Sequence, residues 1–490
     1  MTSSGMKTRL MRLSLAAAAV IVATGCAGTR TVDEKSAAAH LSVSDYRTYA
    51  AQFLNDKGEP KYDPNSLLDT LEAGKAFNDA GLWDLSRDAF AAAGKLLHWK
   101  EDTVDTPAEV ANLIGTTLTS DTFGAYQGKI HQGVLIDYYQ AINSLMLGRE
   151  ADARVDFNRL QVRQSNAVTQ LQAFAQTVNK SVGSELRSDE NAAARQSLEE
   201  VGPKVADGIR DLPSGLTKAK IRVAAGDVMS AVFRATSSAK ADKSTNLVRD
   251  MLKNASQSSA TRGGDAMIAY LSKEMRADKG SLKNKVIVLY EDGTAPTLKE
   301  FRIDLPLFLV TDKVMYSGIA LPQFQLGQPA FGGLTIETGK SKTDTSIVTN
   351  INELVALEFD AAYKGIVAKA VLSTVLKTAA QAVINHQIDK ETGGGLLGTL
   401  MKAGVGAAQY AMTSADTRAW INLPNTIQMA VVDRPKNGVI AIKTKGGESL
   451  GEIEVAKDVN TLLLIKASGL GGAPAIYKQT LPAETLVARL

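Results

Sequence analysis

The apolar residues of this 490-residue chain change their period once, and that change limits what the chain can fold into. From Leu41 to about Met275 they recur at helical spacing among abundant Ala, Leu, Gln, Arg and Glu, with few β-branched runs. From Leu282 onward, short apolar blocks separated by turn residues take over, the pattern of strands. The chain therefore reads as α+β, helices first and strands second. Expected strands are Lys285–Tyr290, Phe301–Phe308 as its neighbour, Leu334–Thr338, Thr426–Val432, Gly438–Thr444, Ser449–Val455, Thr461–Lys466 and Ala475–Thr480. Short connections favour antiparallel pairing, giving a small sandwich or curved sheet. A helical insertion at about residues 351–414, rich in Ala and lightly charged, interrupts them.

Within the helical half, the stretch Leu71 to Ala93 places small and aromatic residues at the spacings of a tetratricopeptide repeat. Gly74 and Ser86 are its close-contact positions, Phe77 and Phe90 its knobs, and Gly81 its turn. Ala141, Gly148, Ala153 and Phe157 form a second match. Gly81 and Gly148 lie 67 residues apart, nearly twice the repeat period, so a degenerate repeat is expected between them. One hairpin cannot bury its own apolar face; stacked repeats do so and leave a concave surface for a peptide or partner helix. A generic helical bundle is the alternative. The Ser-, Ala- and Lys-rich stretch Thr236–Gly264 has weak periodicity and reads as partly mobile.

Residues 1–25 read as a signal peptide: a basic start (Lys7, Arg9, Arg12), an apolar run from Leu13 to Ala23 too short to cross a bilayer, then small residues. Those three cations are the whole surplus of 55 Lys and Arg over 52 Asp and Glu, so the remaining chain is charge-balanced. That balance argues against dedicated nucleic-acid binding, which depends on neutralising phosphates. Ala23-Thr24-Gly25-Cys26 resembles the lipobox of bacterial lipoproteins, with Ala23 where leucine is usual. The resemblance implies cleavage before Cys26 and its acylation, and Ala27 rather than Asp after it implies the outer membrane. With no other cysteine, the fold rests on packing without disulfides. Residues 26–40 read as a polar tether, 41–280 as the helical domain and 281–490 as the β-rich domain.

Several segments together, Tyr126-Gln-Gly128, Tyr138-Tyr-Gln-Ala141, Leu147 to Ala153, Gly293-Thr-Ala-Pro296, Ile303-Asp-Leu-Pro306, Ile319-Ala-Leu-Pro322 and Ala415 to Pro424, resemble an uncharacterised family of Gram-negative outer-membrane lipoproteins with tetratricopeptide-like amino-terminal repeats. The resemblance runs in patches from about Leu67 to Val432. It implies location and architecture, with no catalytic residues, cofactor or substrate.

Candidate chemistry is sparse. The four histidines, His40, His98, His131 and His386, have no metal-ligand spacing. Ser237-Ser-Ala-Lys240 has the SxxK spacing of acyl-enzymes without their companion motifs. Gly393 to Gly398 fits GxGxxG but follows a helical pattern, so no dinucleotide is expected. The apolar stretch Leu396–Ala411, carrying only Lys402, reads as a buried helix, a membrane-contacting one or a switchable partner site. The pairs Asp33-Glu34, Glu199-Glu200 and Glu291-Asp292 read as solvated faces. Arg418 and Trp420 read either as an interface anchor or as a structural pair in which Arg418 bridges Asp416 and Trp420 covers the junction of insertion and sheet.

The expected function is therefore a non-enzymatic, lipid-anchored periplasmic scaffold that binds an envelope protein or peptide in its repeat groove, near Phe77, Trp83, Tyr126, Tyr138 and Tyr139, without metal or cofactor. The alternatives are a peptidoglycan-acting enzyme or activator of a cell-wall synthase, for which Ser237 and Lys240 are the candidates, and a structural subunit of an envelope-spanning assembly.

Overall fold

The computed structural model describes residues 31–97, 126, 128–185, 196–199, 205, 211–214, 216, 220–239, 242, 244–304, 318–392, 401–402 and 413–482. The signal peptide, Cys26, the expected degenerate repeat and most of Leu396–Ala411 lie outside these residues. Helices come first and sheets second.

Asp33 accepts from the backbone N–H of Lys35 and Ser36 and so starts α1 (Glu34–Ser42), which buries Ala37 and Leu41. From Asp33 on, the stretch read as a tether is thus part of the folded body. α2 (Tyr46–Ala51) follows. Two hairpins come next, α3 (Leu67–Asp79) with α4 (Trp83–Leu96), and α5 (Ile130–Met146) with α6 (Glu150–Glu185). Their turns are Gly81 and Gly148, both at positive φ (76° and 72°), where a side chain would be strained. Gly74 lets the Phe90 ring approach so closely that a Cβ would sit 2.7 Å from it, and the Ser86 hydroxyl donates to the Gly74 carbonyl at 2.7 Å.

These glycines give a paired test. Gly81→Ala is expected to destabilise by about 1–2 kcal/mol, because an L residue pays for left-handed backbone and its Cβ would lie 2.7 Å from the Tyr477 ring. Gly94→Ala, inside α4 with open space around it, should instead stabilise by about 0.5–1 kcal/mol. Urea unfolding midpoints moving in the same direction would contradict this account.

α7 (Ala224–Thr236), α8 (Thr245–Ser258) and α9 (Arg262–Ala277) complete the helical half. α8 lies within the stretch of weak periodicity. Its buried residues Val248, Met251, Leu252 and Ala255 fall on one narrow stripe, and the rest of the helix is polar apart from the exposed Leu247.

The strands are β1 (Lys285–Asp292), β2 (Thr297–Asp304), β3 (Gly318–Gln325), β4 (Leu334–Thr338), β5 (Ser341–Asp344), β6 (Ser346–Asn350), β7 (Thr426–Asp433), β8 (Val439–Thr444), β9 (Ser449–Glu454), β10 (Asn460–Ala467) and β11 (Ala475–Leu481). Five form one sheet in the order β11-β10-β1-β7-β6, four another in the order β5-β4-β8-β9, and β2 and β3 a separate ribbon. Two expectations are corrected. β2 pairs with β3 and not with β1, and the β domain is not wholly antiparallel, because β1 and β10 run parallel from Val286↔Thr461 to Asp292↔Ala467. Every residue of these two central strands is buried, as parallel strands covered on both faces require.

Alternation along the strands sorts the two faces. Ile287, Leu289, Met429, Val431, Leu462 and Leu464 join one continuous core with α3 to α9, while Val286, Val288, Val432, Leu463 and Ile465 pack against Leu334, Ile336, Ile440 and Ile442 of the four-stranded sheet. Helices, large sheet and small sheet therefore stack as three layers. The expected insertion is α10 (Ile351–Thr392), about 63 Å long at 1.5 Å per residue. Residues Ile351–Glu391 are long and apolar enough to cross a membrane by length and composition, yet Ala356, Phe359, Tyr363, Val367 and Val371 are buried against the β2–β3 ribbon.

Candidate functional site

A cavity of about 230 Å³ opens where the amino end of α5, the first half of α10, the β2–β3 ribbon and the loop 413–423 meet. Aromatic and aliphatic side chains make most of its wall, among them Phe174, Leu298, Phe324, Phe359, Ile366 and Trp420. This position follows from the fold: the ribbon and α10 bury their shared face against each other, and the edge beyond that contact is left to line a cleft.

One end of the cleft is polar. The first turn of any helix carries N–H groups with no partner inside the helix. In α5 a carboxylate from another helix supplies the acceptor: Glu358 of α10 takes the backbone N–H of Ile130 at 3.0 Å and of His131 at 3.2 Å. His131 Nδ1 lies 2.8 Å from the same carboxylate, and since an ionised carboxylate only accepts, Nδ1 carries the proton. Burial alone would raise the Glu358 carboxyl; the His131 ring, Lys129 and the Ile130 N–H outweigh it and hold the group below the ordinary carboxylate value. Next to it, Gln132 accepts from the Lys129 N–H at 2.9 Å and donates to the Tyr126 hydroxyl at 2.6 Å.

Arg418 lies 5.7 Å over the Tyr126 ring and grips Asp416 through Nε at 2.9 Å and Nη2 at 2.7 Å. Burial would raise the Asp416 carboxyl, but the Arg418 guanidinium brings it below its usual value. The loop is tied down by Ala415, whose N–H donates to Glu300 of β2 at 2.8 Å.

Of the residues expected to contact a partner, Tyr126, Arg418 and Trp420 therefore meet at this cleft. Phe77, Tyr138 and Tyr139 do not line an open groove: they are fully buried, and Trp83 nearly so, packed edge-on to Tyr477 at 5.0 Å. The concave side of the hairpins is filled by the sheet and by Trp420, whose ring centroid lies 5.9 Å from that of Phe90 and 6.3 Å from that of Tyr139. Arg418 thus follows the structural reading in bridging Asp416, while also forming part of the cleft wall.

A second cluster escaped the sequence reading. Lys75 and Asp79 of α3, Glu291 of β1 and Lys466 of β10 are all buried in mutual contact, with Lys75–Glu291 at 3.0 Å, Lys466–Asp79 at 2.8 Å and Lys466–Glu291 at 3.2 Å. Lys75 also pairs with Asp79, and Lys466 with Asn78. Glu291 was expected on a solvated face, as was Asp292, which instead accepts from the Ala330 and Phe331 N–H groups at 3.0 Å each and from the Tyr290 hydroxyl at 2.6 Å. The signal that could have found them is the unbroken apolar run Val286–Tyr290, which marks a strand buried on both faces and runs straight into Glu291 and Asp292. The adjoining space of about 10 Å³ holds one water at most, so the cluster clamps helix to sheet and admits no substrate.

The remaining candidates lie apart. Ser237 Oγ sits 2.5 Å from a Glu150 oxygen and 2.7 Å from an Asp242 oxygen, and Lys240 is outside the described residues. His40 contacts Gln52 at 2.7 Å, and His386 is exposed. No group of three metal-ligating side chains occurs among the described residues. Comparison of the chain with protein-family models, curated proteins and solved structures finds no match in any of the three.

Proposed function

We propose that this chain is a non-enzymatic binding lipoprotein of the Gram-negative envelope, held through acylated Cys26 to the periplasmic face of the outer membrane. The two hairpins, α3–α4 and α5–α6, are taken as its tetratricopeptide-like part, with turn glycines at matching places. Its binding surface is the cleft at α5, α10 and the 413–423 loop, rather than the concave face first expected. The observation that carries the reading is the state of the cleft's polar groups. Glu358, Asp416 and Gln132 each spend their hydrogen-bonding capacity on neighbouring protein groups. A wall made of engaged polar groups and apolar side chains suits the holding of a molecule.

Two measurements test it. A palmitate analogue should label the wild type and not Cys26→Ser; equal labelling of both, or of neither, removes the anchor. A photoreactive residue at Lys377, on the cleft wall, should capture one discrete species in intact cells. A ladder of self-crosslinks would instead indicate a structural subunit, and turnover of a wall fragment by the purified protein would indicate an enzyme.

A further inference from the structure

Resting on the acylation of Cys26 proposed above, we infer that Val43 and Leu470 form a second membrane contact, a tip that enters the surface of the phospholipid leaflet holding the anchor. Leu470, 71% exposed, is the most exposed large apolar side chain among the described residues, and Val43 is 43% exposed. The two belong to one place. The β10–β11 loop lies directly on the Ser42–Val43 backbone: a Cβ at Gly469 would sit 2.0 Å from the Ser42 carbonyl oxygen, and one at Gly472 1.8 Å from that of Val43. Ser44, at a positive φ of 53°, pins the loop, its hydroxyl accepting from the Ser468 and Gly469 N–H groups at 3.2 and 3.3 Å. Ser468 Oγ in turn donates to the Leu41 carbonyl at 2.6 Å. A loop held this way presents Leu470 to solvent and needs no further ordering on contact.

What covers the tip follows from the reach of the chain. Thr31 is tied to Asp69, its N–H donating to Oδ1 at 3.1 Å and its hydroxyl to Oδ2 at 2.9 Å. Five residue steps lead from Cys26 to Thr31, at most about 18 Å even fully extended. α1 covers about 14 Å between that tie and the tip. The two lengths are comparable, so the body can lie with both its tie and its tip on the bilayer. Val32, Ala37 and Leu41 are buried with Tyr46, Tyr49 and Phe77, which makes tie and tip one body. A lipid interface rewards burial of the Val43 and Leu470 side chains.

The experiment places the mature acylated chain in vesicles of phosphatidylethanolamine and phosphatidylglycerol, with Leu470→Cys carrying an environment-sensitive fluorophore. Acylation leaves Cys26 no free thiol to react. Lys457→Cys, exposed at the far end of β10, is the control, about 26 Å away along the strand. The label at 470 should shift to the blue and be quenched by nitroxide-bearing lipids, whereas the label at 457 should show neither change. Val43→Asp should abolish the quenching at 470, with circular dichroism confirming that the variant folds. Equal quenching at the two positions, or quenching at 470 that Val43→Asp leaves untouched, overturns the inference. So does self-quenching at 470 that grows with protein density in lipid free of nitroxide, which would mean that a second copy covers the tip. If palmitate labels Cys26 while the label at 470 stays in water, the surface is refuted and the anchor survives. If palmitate does not label Cys26, the anchor falls, and the same label on Cys26→Ser decides the surface: quenching upholds it, and no quenching refutes both.

Discussion

Lys466→Met is expected to lower folding stability by about 3–5 kcal/mol, the usual cost of removing one partner from a buried ionic cluster. Lys466 is 1% exposed and faces Asp79, Glu291 and Asn78, so its loss leaves two buried carboxylates with Lys75 alone. The penalty is the stranded charge, not the missing attraction. Lys466→Met combined with Glu291→Met should therefore cost less than Lys466→Met alone, because the remaining Lys75–Asp79 pair is balanced. Equal or greater loss in the double variant, read from urea unfolding, would show that geometry rather than charge governs the cluster.

The same cluster sets a pH dependence. Burial by itself would raise the Glu291 carboxyl, yet Lys466 and Lys75 bring it below its ordinary value. A depressed folded value means a contribution present above the unfolded carboxylate range, about pH 4.3, and lost as pH falls through the folded value. Wild-type stability should decline on the acid side of that range, and the decline should be shallower in Lys466→Met, where one of the two cations that depress Glu291 is gone.

Glu358→Ala is expected to cost about 3 kcal/mol, since two α5 backbone N–H groups and the His131 ring lose a charged, buried acceptor. Glu358→Gln keeps an uncharged acceptor and should cost about 1 kcal/mol. The sign of the pH effect matches that of Glu291, because Glu358 is also depressed: its contribution stands above about pH 4.3 and disappears in acid. Glu358→Gln should therefore flatten part of the acid slope. A full-sized loss in the glutamine variant would mean that the charge, rather than the acceptor, holds the end of α5.

Legibility followed range along the chain. The glycine turns at Gly81 and Gly148, the strand Leu334–Thr338 and the start of the helix at Ile351 appear where their local patterns place them. The errors are of two kinds: the strands β3, β5 and β6 were not expected, and contacts with elements elsewhere in the fold were misplaced. β2 lies next to β1 along the chain, yet pairs with β3, because its apolar face is needed against α10. Tyr138 and Tyr139 looked like groove residues only while the sheet that covers them was out of view.

What the amino-acid order determined by itself is the succession of helices and then strands and the place of the most strongly patterned elements, since periodicity, turn glycines and caps act over one or two turns of chain; β3, β5 and β6 were not among the expected strands. Tertiary structure alone decided that Glu358 would cap a helix 228 residues away, that Lys466 would meet Asp79 across 387 residues, and that a cleft would remain beside α10. The physical reason is that an isolated helix or strand has several faces it could bury, and burial of apolar surface is non-directional. Only when every apolar face has found a cover are the few remaining charges and openings assigned their places.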